Sequence, residues 1–228
     1  MKFRKQGMAV FWKNAWKGLG VVLVAYSLVA GLNNKVPALP ILNESIRNLF
    51  FHVPMWFAMM FCIFMSMINS VKFLKNNDLK SDVKAHEFAK TGLLFGFCGL
   101  FTGMIWAKMT WGAFWTNDPK LNGSAISMLI YLAYLVLRNS IEGDDIKRAK
   151  IASVYNIFAF AAYIPLVFIL PRMTDSLHPG NGGNPAFSSY DLDSAMRPIF
   201  YSAVLGWILI GNWVTNLNVR LFLLNSNE

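Results

Sequence analysis

The chain has 228 residues, of which 55% are hydrophobic and only 14% charged, and its mean hydropathy is +0.41. This balance excludes a water-soluble globular domain, and it also excludes disordered, collagen-like and disulfide-scaffold proteins. The net charge of +9 does not indicate a nucleic-acid partner, because basic residues that flank apolar spans are what orientation in a membrane requires. Membrane lipid is the expected surrounding of the chain.

Six apolar stretches predict an all-α fold, a polytopic membrane protein built as a bundle of six transmembrane helices. They cover about residues 16–32, 48–71, 91–107, 121–137, 151–170 and 198–219. A helix that crosses the hydrocarbon core needs about 17 to 25 residues, so each stretch is long enough for one span. No second domain or internal repeat is visible, and residues 1–228 are predicted to form a single integral-membrane domain.

The distribution of Lys and Arg predicts the orientation of the bundle. Fifteen of them lie in the two terminal tails and the second and fourth loops, against six in the first, third and fifth loops. Because the basic excess marks the cytoplasmic side, both termini are predicted to be cytoplasmic. The basic start of the chain is interpreted as a signal-anchor, since no clear cleavage site follows it.

The third stretch carries glycines at intervals of four and three residues, at Gly92, Gly96, Gly99 and Gly103. This spacing places them near one helix face, where small residues let helices approach closely in lipid. We therefore interpret them as packing positions.

The third loop, read as residues 106–121, is rich in aromatic residues that include Trp111, Phe114 and Trp115. An interfacial belt is one explanation. A platform for a large flat apolar ligand, with Asp118 and Lys120 at its edge, is the other.

Two of the three histidines are predicted on the same side as that loop. His52 opens the second span and His178 lies in the fifth loop, whereas His86 is placed in the lysine-rich second loop, where a solvated histidine explains itself. Haem iron accepts imidazole nitrogen from two opposite sides. His52 and His178 could thus be axial ligands, although each alone is more often a structural histidine.

Bound haem would also need cations for its propionates. Arg47 is the first choice, and Lys120, Arg172 and Arg197 are the others on that side. A zinc site is disfavoured, because only two outer histidines are available. A nucleophilic hydrolase lacks a G-x-S-x-G elbow, and a transporter is disfavoured by spans without Asp, Glu, Lys or Arg.

The segment from Trp111 to Leu121, W-G-A-F-W-T-N-D-P-K-L, resembles the tryptophan-rich signature W-G-x-x-W-x-W-D-x-R-L-T of the haem-handling proteins of cytochrome c maturation. Residues 47–54 resemble the R-x-x-x-x-H-V-P segment of these proteins, and residues 177–180 resemble their L-H-x-G loop. Six spans and this length make the chain similar to the CcmC family. Three positions depart from the signature, with Asn117 for tryptophan, Lys120 for arginine and Asn122 for threonine.

The resemblance implies a function at the periplasmic face of the bacterial inner membrane. Haem b would be held by His52 and His178 as axial ligands, and the other implied contacts are Trp111, Trp115, Asp118, Arg47 and Lys120. The chain would present haem to the chaperone CcmE as a scaffold rather than as an enzyme, together with the subunits CcmA, CcmB and CcmD. A haem lyase acting directly on apocytochrome c and a haem transporter are the alternatives.

Overall fold

The structure is a computed structural model that describes residues 2–39, 42–178 and 192–225, with side chains from residue 14 onward. Its helices are α1 (Lys2–Asn33), α2 (Leu49–Asn76), α3 (Leu79–Trp111), α4 (Pro119–Asn139), α5 (Asp145–Ile164), α6 (Leu170–Met173) and α7 (Met196–Asn225). A 3-10 helix, Asn43–Asn48, precedes α2 and a π-helical segment, Pro165–Ile169, joins α5 to α6. The described residues contain no strand. Six helical segments are long and apolar enough to cross a membrane, so the predicted all-α, multi-pass fold is confirmed.

The lysine-rich second loop is much shorter than the sequence indicated. Helices α2 and α3 continue beyond the apolar stretches and leave only Asn77 and Asp78 between them. Asn77 adopts a left-handed conformation with φ 52°, and Asp78 caps α3 by accepting from the Lys80 N–H and the Ser81 hydroxyl. The hydrogen bond from Ser81 holds the pKa of Asp78 below its usual value. Placing His86 in a loop was therefore wrong, because it lies on α3.

Helices α2 and α3 form the closest pair in the bundle, and the four glycines explain why. A Cβ added at Gly92 would lie 2.9 Å from Ile63, and one at Gly96 would lie 2.8 Å from the Met59 sulfur. At Gly103, toward the other end of the pair, the added Cβ would lie 2.6 Å from the His52 ring. The interpretation as packing positions is confirmed, and the same glycine row makes room for an imidazole.

A buried ion pair joins α3 to α4 at one end of the bundle. The Arg138 guanidinium donates from Nη1 and Nη2 to the two carboxylate oxygens of Asp82, at 2.6 and 2.5 Å. Both side chains are at most 6% exposed. The α2–α3 and α4–α5 connections therefore lie at this end, and His52 at the start of α2, Trp111 and His178 lie at the other. The membrane side that each end faces stays a prediction.

The last turns of the fifth span deviate from α geometry. Pro165 begins the π-helical segment, and Pro171 follows at the start of α6. The Leu166 carbonyl oxygen contacts the backbone of α4 at Gly123, in space that any larger residue would fill. This close contact fixes the end of the span from which the segment containing His178 emerges.

Candidate functional site

The connection between α3 and α4 is a short turn at the end of the bundle. Trp111 is the last residue of α3, and Gly112 follows in a left-handed conformation with φ +82°, which favours glycine. Helix α4 begins at Pro119 with Asp118 as its N-cap. The aromatic loop is therefore only residues 112–118, and the tryptophan at 111 is held on a rigid helix end.

Asp118 is the most heavily hydrogen-bonded side chain at this end. Its Oδ1 accepts from the backbone N–H of Lys120 and Leu121 at 2.9 and 3.1 Å. Its Oδ2 accepts from the Ser176 hydroxyl at 2.8 Å and the Leu177 N–H at 2.7 Å. Burial opposes ionisation, but hydrogen bonds led by that from the His178 side chain outweigh it and hold the pKa of Asp118 well below its usual range. The carboxylate is therefore ionised at neutral pH and can only accept hydrogen bonds.

His178 is oriented by this carboxylate. Its Nδ1 lies 2.8 Å from Asp118 Oδ1, while its backbone N–H donates to the Ser176 hydroxyl at 3.2 Å. The imidazole meets the Trp111 ring edge to face, with ring centroids 4.9 Å apart. Because an ionised carboxylate only accepts, Nδ1 must carry a proton, and the neutral form of the ring therefore has its lone pair on Nε2.

His52 is held in the same way by a different acceptor. Its Nδ1 lies 2.9 Å from the carbonyl oxygen of Gly99 and 3.2 Å from the Thr102 hydroxyl. Thr102 donates its own proton to the backbone carbonyls of α3. A carbonyl oxygen only accepts, so the proton of His52 also lies on Nδ1 and the lone pair on Nε2. Two indole rings, Trp56 and Trp106, contact the imidazole edge to face at 6.2 and 5.8 Å.

The two histidines lie at the same end of the bundle, within electrostatic range of each other. Positive charge on His178 or on Lys120 acts electrostatically on the His52 ring, and Lys120 in turn interacts with Asp118 and Arg172. The structure thus brings together His52, His178, Asp118 and Lys120, with Trp111 packed on one imidazole. In their neutral forms the two imidazoles each have a lone pair on Nε2, and such a donor set suits a metal that binds from opposite sides.

The described hydrogen bonds of Arg47 are made to Glu44 and to α1 and the residue after it rather than to this group. Its Nε donates to Glu44 at 2.6 Å, and Nη1 donates to the carbonyl oxygens of Asn34 and, at 3.1 Å, Gly31. The guanidinium thereby binds the end of α1, whose last carbonyls lack partners within the helix. Its assignment to a propionate stays a prediction, and the described contacts give it a different role.

Trp115 lies at the edge of the site and is 42% exposed. Its indole N–H donates to Asn122 at 3.2 Å, and the Asn122 amide donates to Asn117 at 2.8 Å. The two asparagines that depart from the tryptophan-rich signature therefore bind each other and position Trp115. Five apolar side chains near this end of the bundle are exposed: Met109, Phe114, Trp115, Met173 and Leu177.

Several residues of the site were not identified from the sequence. Gly99 holds His52 through its carbonyl oxygen and Gly103 by leaving room for the ring, so residue type gave no indication of their role; Thr102 adds its hydroxyl. Trp56, one helical turn after His52, was detectable because residues four apart share a helix face. Gly180 of the L-H-x-G segment lies outside the described residues.

A comparison with known proteins identifies the family of the chain. The sequence profile of the family described as CcmC, heme exporter protein C, matches residues 4–227. The chain belongs to the CcmC family. This confirms the resemblance found in the sequence.

Individual relatives cover parts of the chain. Heme exporter protein C of Bradyrhizobium diazoefficiens is 29% identical over 163 residues, which is 71% of this chain and 61% of that protein. Heme exporter protein C of Escherichia coli K12 is 22% identical over 185 residues, 78% of this chain and 70% of that protein. Cytochrome c biogenesis protein CcsA of Pelargonium hortorum is 27% identical over 95 residues, 41% of this chain and 30% of that protein. The match to the Bradyrhizobium protein thus spans less than two thirds of its length.

Proposed function

We propose that this member of the CcmC family binds haem b between His52 and His178 and presents it to the haem chaperone CcmE. One observation carries the proposal. Each imidazole donates from Nδ1 to a group that can only accept a hydrogen bond. For His52 this group is the Gly99 carbonyl oxygen at 2.9 Å, and for His178 it is the Asp118 carboxylate at 2.8 Å. Nε2 of each ring is therefore left to ligate iron. A hydrogen bond at the second nitrogen fixes the tautomer and orientation of a metal-binding histidine.

The aromatic residues around the histidines suit a porphyrin. Trp111 packs on His178, and Trp56 and Trp106 pack on His52. Trp115 is half exposed at the edge, where its indole is fixed by Asn122. Rigid indole rings bury large apolar area at low cost in conformational entropy, so they would grip a flat macrocycle and leave one of its edges accessible.

The propionates of haem would bind cations beside this pocket. We place Lys120 first, because its charge acts on His52 and its side chain is largely removed from solvent. Arg47 is the second choice, since its guanidinium already binds Glu44 and the carbonyls of α1. Lysine binds a carboxylate as a point charge rather than through two parallel hydrogen bonds, which suits cargo that must be released.

The exposed apolar side chains at this end of the bundle, Trp115 and Phe114 among them, support a hand-over of haem rather than storage. Exposed apolar surface next to a ligand site is typical of a protein contact. The chain would act as a scaffold that positions haem, without turning over a substrate, at the periplasmic face of the bacterial inner membrane. CcmA, CcmB and CcmD are the further partners in this proposal, and both termini would lie in the cytoplasm.

The absorption spectrum of the complex purified with CcmE, CcmA, CcmB and CcmD tests the proposal. We expect a Soret band that is lost when His52→Ala and His178→Ala are combined. His86→Ala is the matched control, because it removes an imidazole at the other end of the bundle. An unchanged band in the double variant, with the protein folded, would overturn the assignment of the ligands.

A second measurement separates presentation from direct attachment. Haem-loaded CcmE should accumulate when this chain is present and the later components of maturation are absent. A lyase that acts directly on apocytochrome c would instead yield haem bound to apocytochrome without CcmE. Haem flux into sealed vesicles that lack CcmE would favour a transporter.

A further inference from the structure

The 3-10 helix Asn43–Asn48, which leads directly into α2, is tied to α3 by two hydrogen bonds. The indole N–H of Trp106 donates to the Ser45 hydroxyl oxygen at 3.1 Å. The Asn48 side-chain amide donates to the carbonyl oxygen of Thr102, also at 3.1 Å. Ser45 lies outside the sequence motifs quoted above, and Asn48 occupies a variable position of one of them. Neither residue belongs to the proposed haem site.

The part of α3 that these two bonds hold is the part that contacts His52. The Gly99 carbonyl oxygen and the Thr102 hydroxyl lie 2.9 and 3.2 Å from Nδ1 of the imidazole. The Trp106 ring meets the imidazole edge to face at 5.8 Å, and Gly103 leaves room for the ring. The two hydrogen bonds therefore tie the 3-10 helix to two residues that themselves contact the imidazole.

Asn48 is the N-cap of α2, but its side chain does not cap that helix. Asparagine is a preferred N-cap residue because its side-chain oxygen accepts from the first backbone N–H groups of a helix. Here Asn48 has helical φ and ψ and makes no such bond. The backbone N–H of Leu49, the first residue of α2, donates to carbonyl oxygens of the 3-10 helix instead. The side chain of Asn48 is therefore not needed as a cap, and it donates across to α3.

Ser45 is held in place from the other side of the 3-10 helix. Its hydroxyl donates to the Leu42 carbonyl oxygen, so a lone pair of the hydroxyl oxygen faces the indole N–H, which can only donate. The next residue, Ile46, is 1% exposed and packs in an apolar cluster with Ile199 and Phe200 of α7. The 3-10 helix is thus anchored on α7 and carries its contacts to α3 from a fixed position.

We propose that Ser45 and Asn48 are positioning residues for His52. The glycine row of α3 lets α2 approach closely, but a glycine has no side chain that could fix how far one helix slides along the other. Hydrogen bonds have a preferred distance and direction, so the two bonds from the 3-10 helix set this position at the haem end of the pair. The imidazole then keeps its own hydrogen bond, and Nε2 keeps the direction that iron requires. The inference rests on the proposed function, because it assigns both residues to a haem ligand.

Haem titration of the full-length chain in detergent, followed at the Soret band, tests the proposal. Ser45→Ala and Asn48→Ser each remove one bond to α3, and serine caps a helix as well as asparagine does, so the second variant keeps the start of α2 intact. We expect each variant to weaken haem binding about fivefold, the factor that one neutral hydrogen bond supplies. Ser45→Thr keeps the hydroxyl and should restore binding. Ser140→Ala is the matched control, because Ser140 also donates to a carbonyl three residues earlier but lies at the other end of the bundle.

Double variants separate positioning from a general loss of stability. If Ser45 acts through His52, adding Ser45→Ala to His52→Ala should weaken haem binding no further, because residues that act as one unit are not additive. Adding Ser45→Ala to His178→Ala should still weaken it about fivefold. An equal further loss in both backgrounds, or single variants that bind haem like Ser140→Ala, would overturn the proposal.

A measurement on the haem-free chain keeps this proposal separate from the proposed function. The indole N–H resonance of Trp106, identified by its loss in Trp106→Phe, should shift in Ser45→Ala and stay in place in Ser140→Ala. An unmoved resonance in Ser45→Ala would overturn the positioning role whether or not haem binds. A shifted resonance in a chain that gives no Soret band would instead overturn the proposed function, and the assignment of Ser45 to a haem ligand with it.

Discussion

Asp118 uses one carboxylate oxygen for two purposes. Its Oδ1 accepts the first backbone N–H groups of α4, from Lys120 and Leu121, and it also lies 2.8 Å from Nδ1 of His178. The cap of a helix and the orientation of an imidazole in the next connection therefore depend on the same atom. Any shift at the start of α4 would move His178.

Replacing Asp118 by Asn tests this dependence. The amide oxygen can still cap α4, but the amide NH₂ would face the Ser176 hydroxyl and the Leu177 N–H, which now donate to the carboxylate. We expect haem affinity to fall about 10- to 100-fold, as is usual when a residue that supports a metal-binding histidine is replaced, because the Ser176 hydroxyl and the Leu177 N–H lose their acceptor and the segment that carries His178 must shift. Haem titration followed at the Soret band is the measurement. Asp175→Asn, an exposed carboxylate in the same segment, is the control and should bind haem normally.

The sequence was sufficient to predict the membrane spans, because a helix that crosses the hydrocarbon core needs an apolar run of matching length. It was not sufficient to predict where helices end. Lysines between residues 72 and 90 indicated a loop, but they lie on helices that continue past the apolar core, and Asp82 is buried there only because Arg138 comes from a distant helix. Such tertiary pairing leaves no periodic pattern in the chain.

The site was predictable in its reactive side chains and not in its supports. His52 stood out because an imidazole is rare in an apolar run, and His178 because it is predicted on the same side of the membrane as His52 and the aromatic loop. The acceptor for His52 is the carbonyl oxygen of Gly99, and every residue has a carbonyl, so residue type carries no signal. Asp118 was noticed as the edge of the aromatic loop, but its contact with His178 spans sixty residues and needed the fold.

Adding a methyl group at Gly103 should displace His52. The new Cβ would lie 2.6 Å from Cε1 of the imidazole, closer than nonbonded carbon atoms approach, so the ring must rotate away from Gly99. Overpacking of this kind costs about 1–3 kcal/mol, and we expect Gly103→Ala to weaken haem binding about as much as His52→Ala. Gly18→Ala is the control, since nothing lies within 4 Å of an added Cβ there. Normal haem binding by Gly103→Ala would show that the imidazole is not confined by α3.

Two cation variants distinguish the roles of Lys120 and Arg47. Lys120→Gln should reduce haem retention several-fold with little change in the unfolding midpoint, because its described interactions are electrostatic and centre on the site. Arg47→Gln should lower the free energy of unfolding by about 1–3 kcal/mol, since the carbonyls of Gly31 and Asn34 would lose a charged donor. Thermal unfolding and haem retention are measured on the same samples. Haem loss from Arg47→Gln at normal stability would support the propionate contact predicted for Arg47 instead.

The ion pair at the other end of the bundle should dominate stability there. Asp82→Asn leaves the Arg138 guanidinium buried without a counter-charge, and removing one partner of a buried pair costs about 3–5 kcal/mol. Asp145→Asn removes the partner of Arg148 from a pair in which the carboxylate is 65% exposed, and exposed pairs contribute about 1 kcal/mol or less. Unfolding in detergent should therefore separate the two variants clearly. Combining Asp82→Leu with Arg138→Met should recover most of the loss, because two apolar side chains leave no unpaired charge. A double variant no more stable than Asp82→Asn would mean that the pair is needed for its hydrogen bonds.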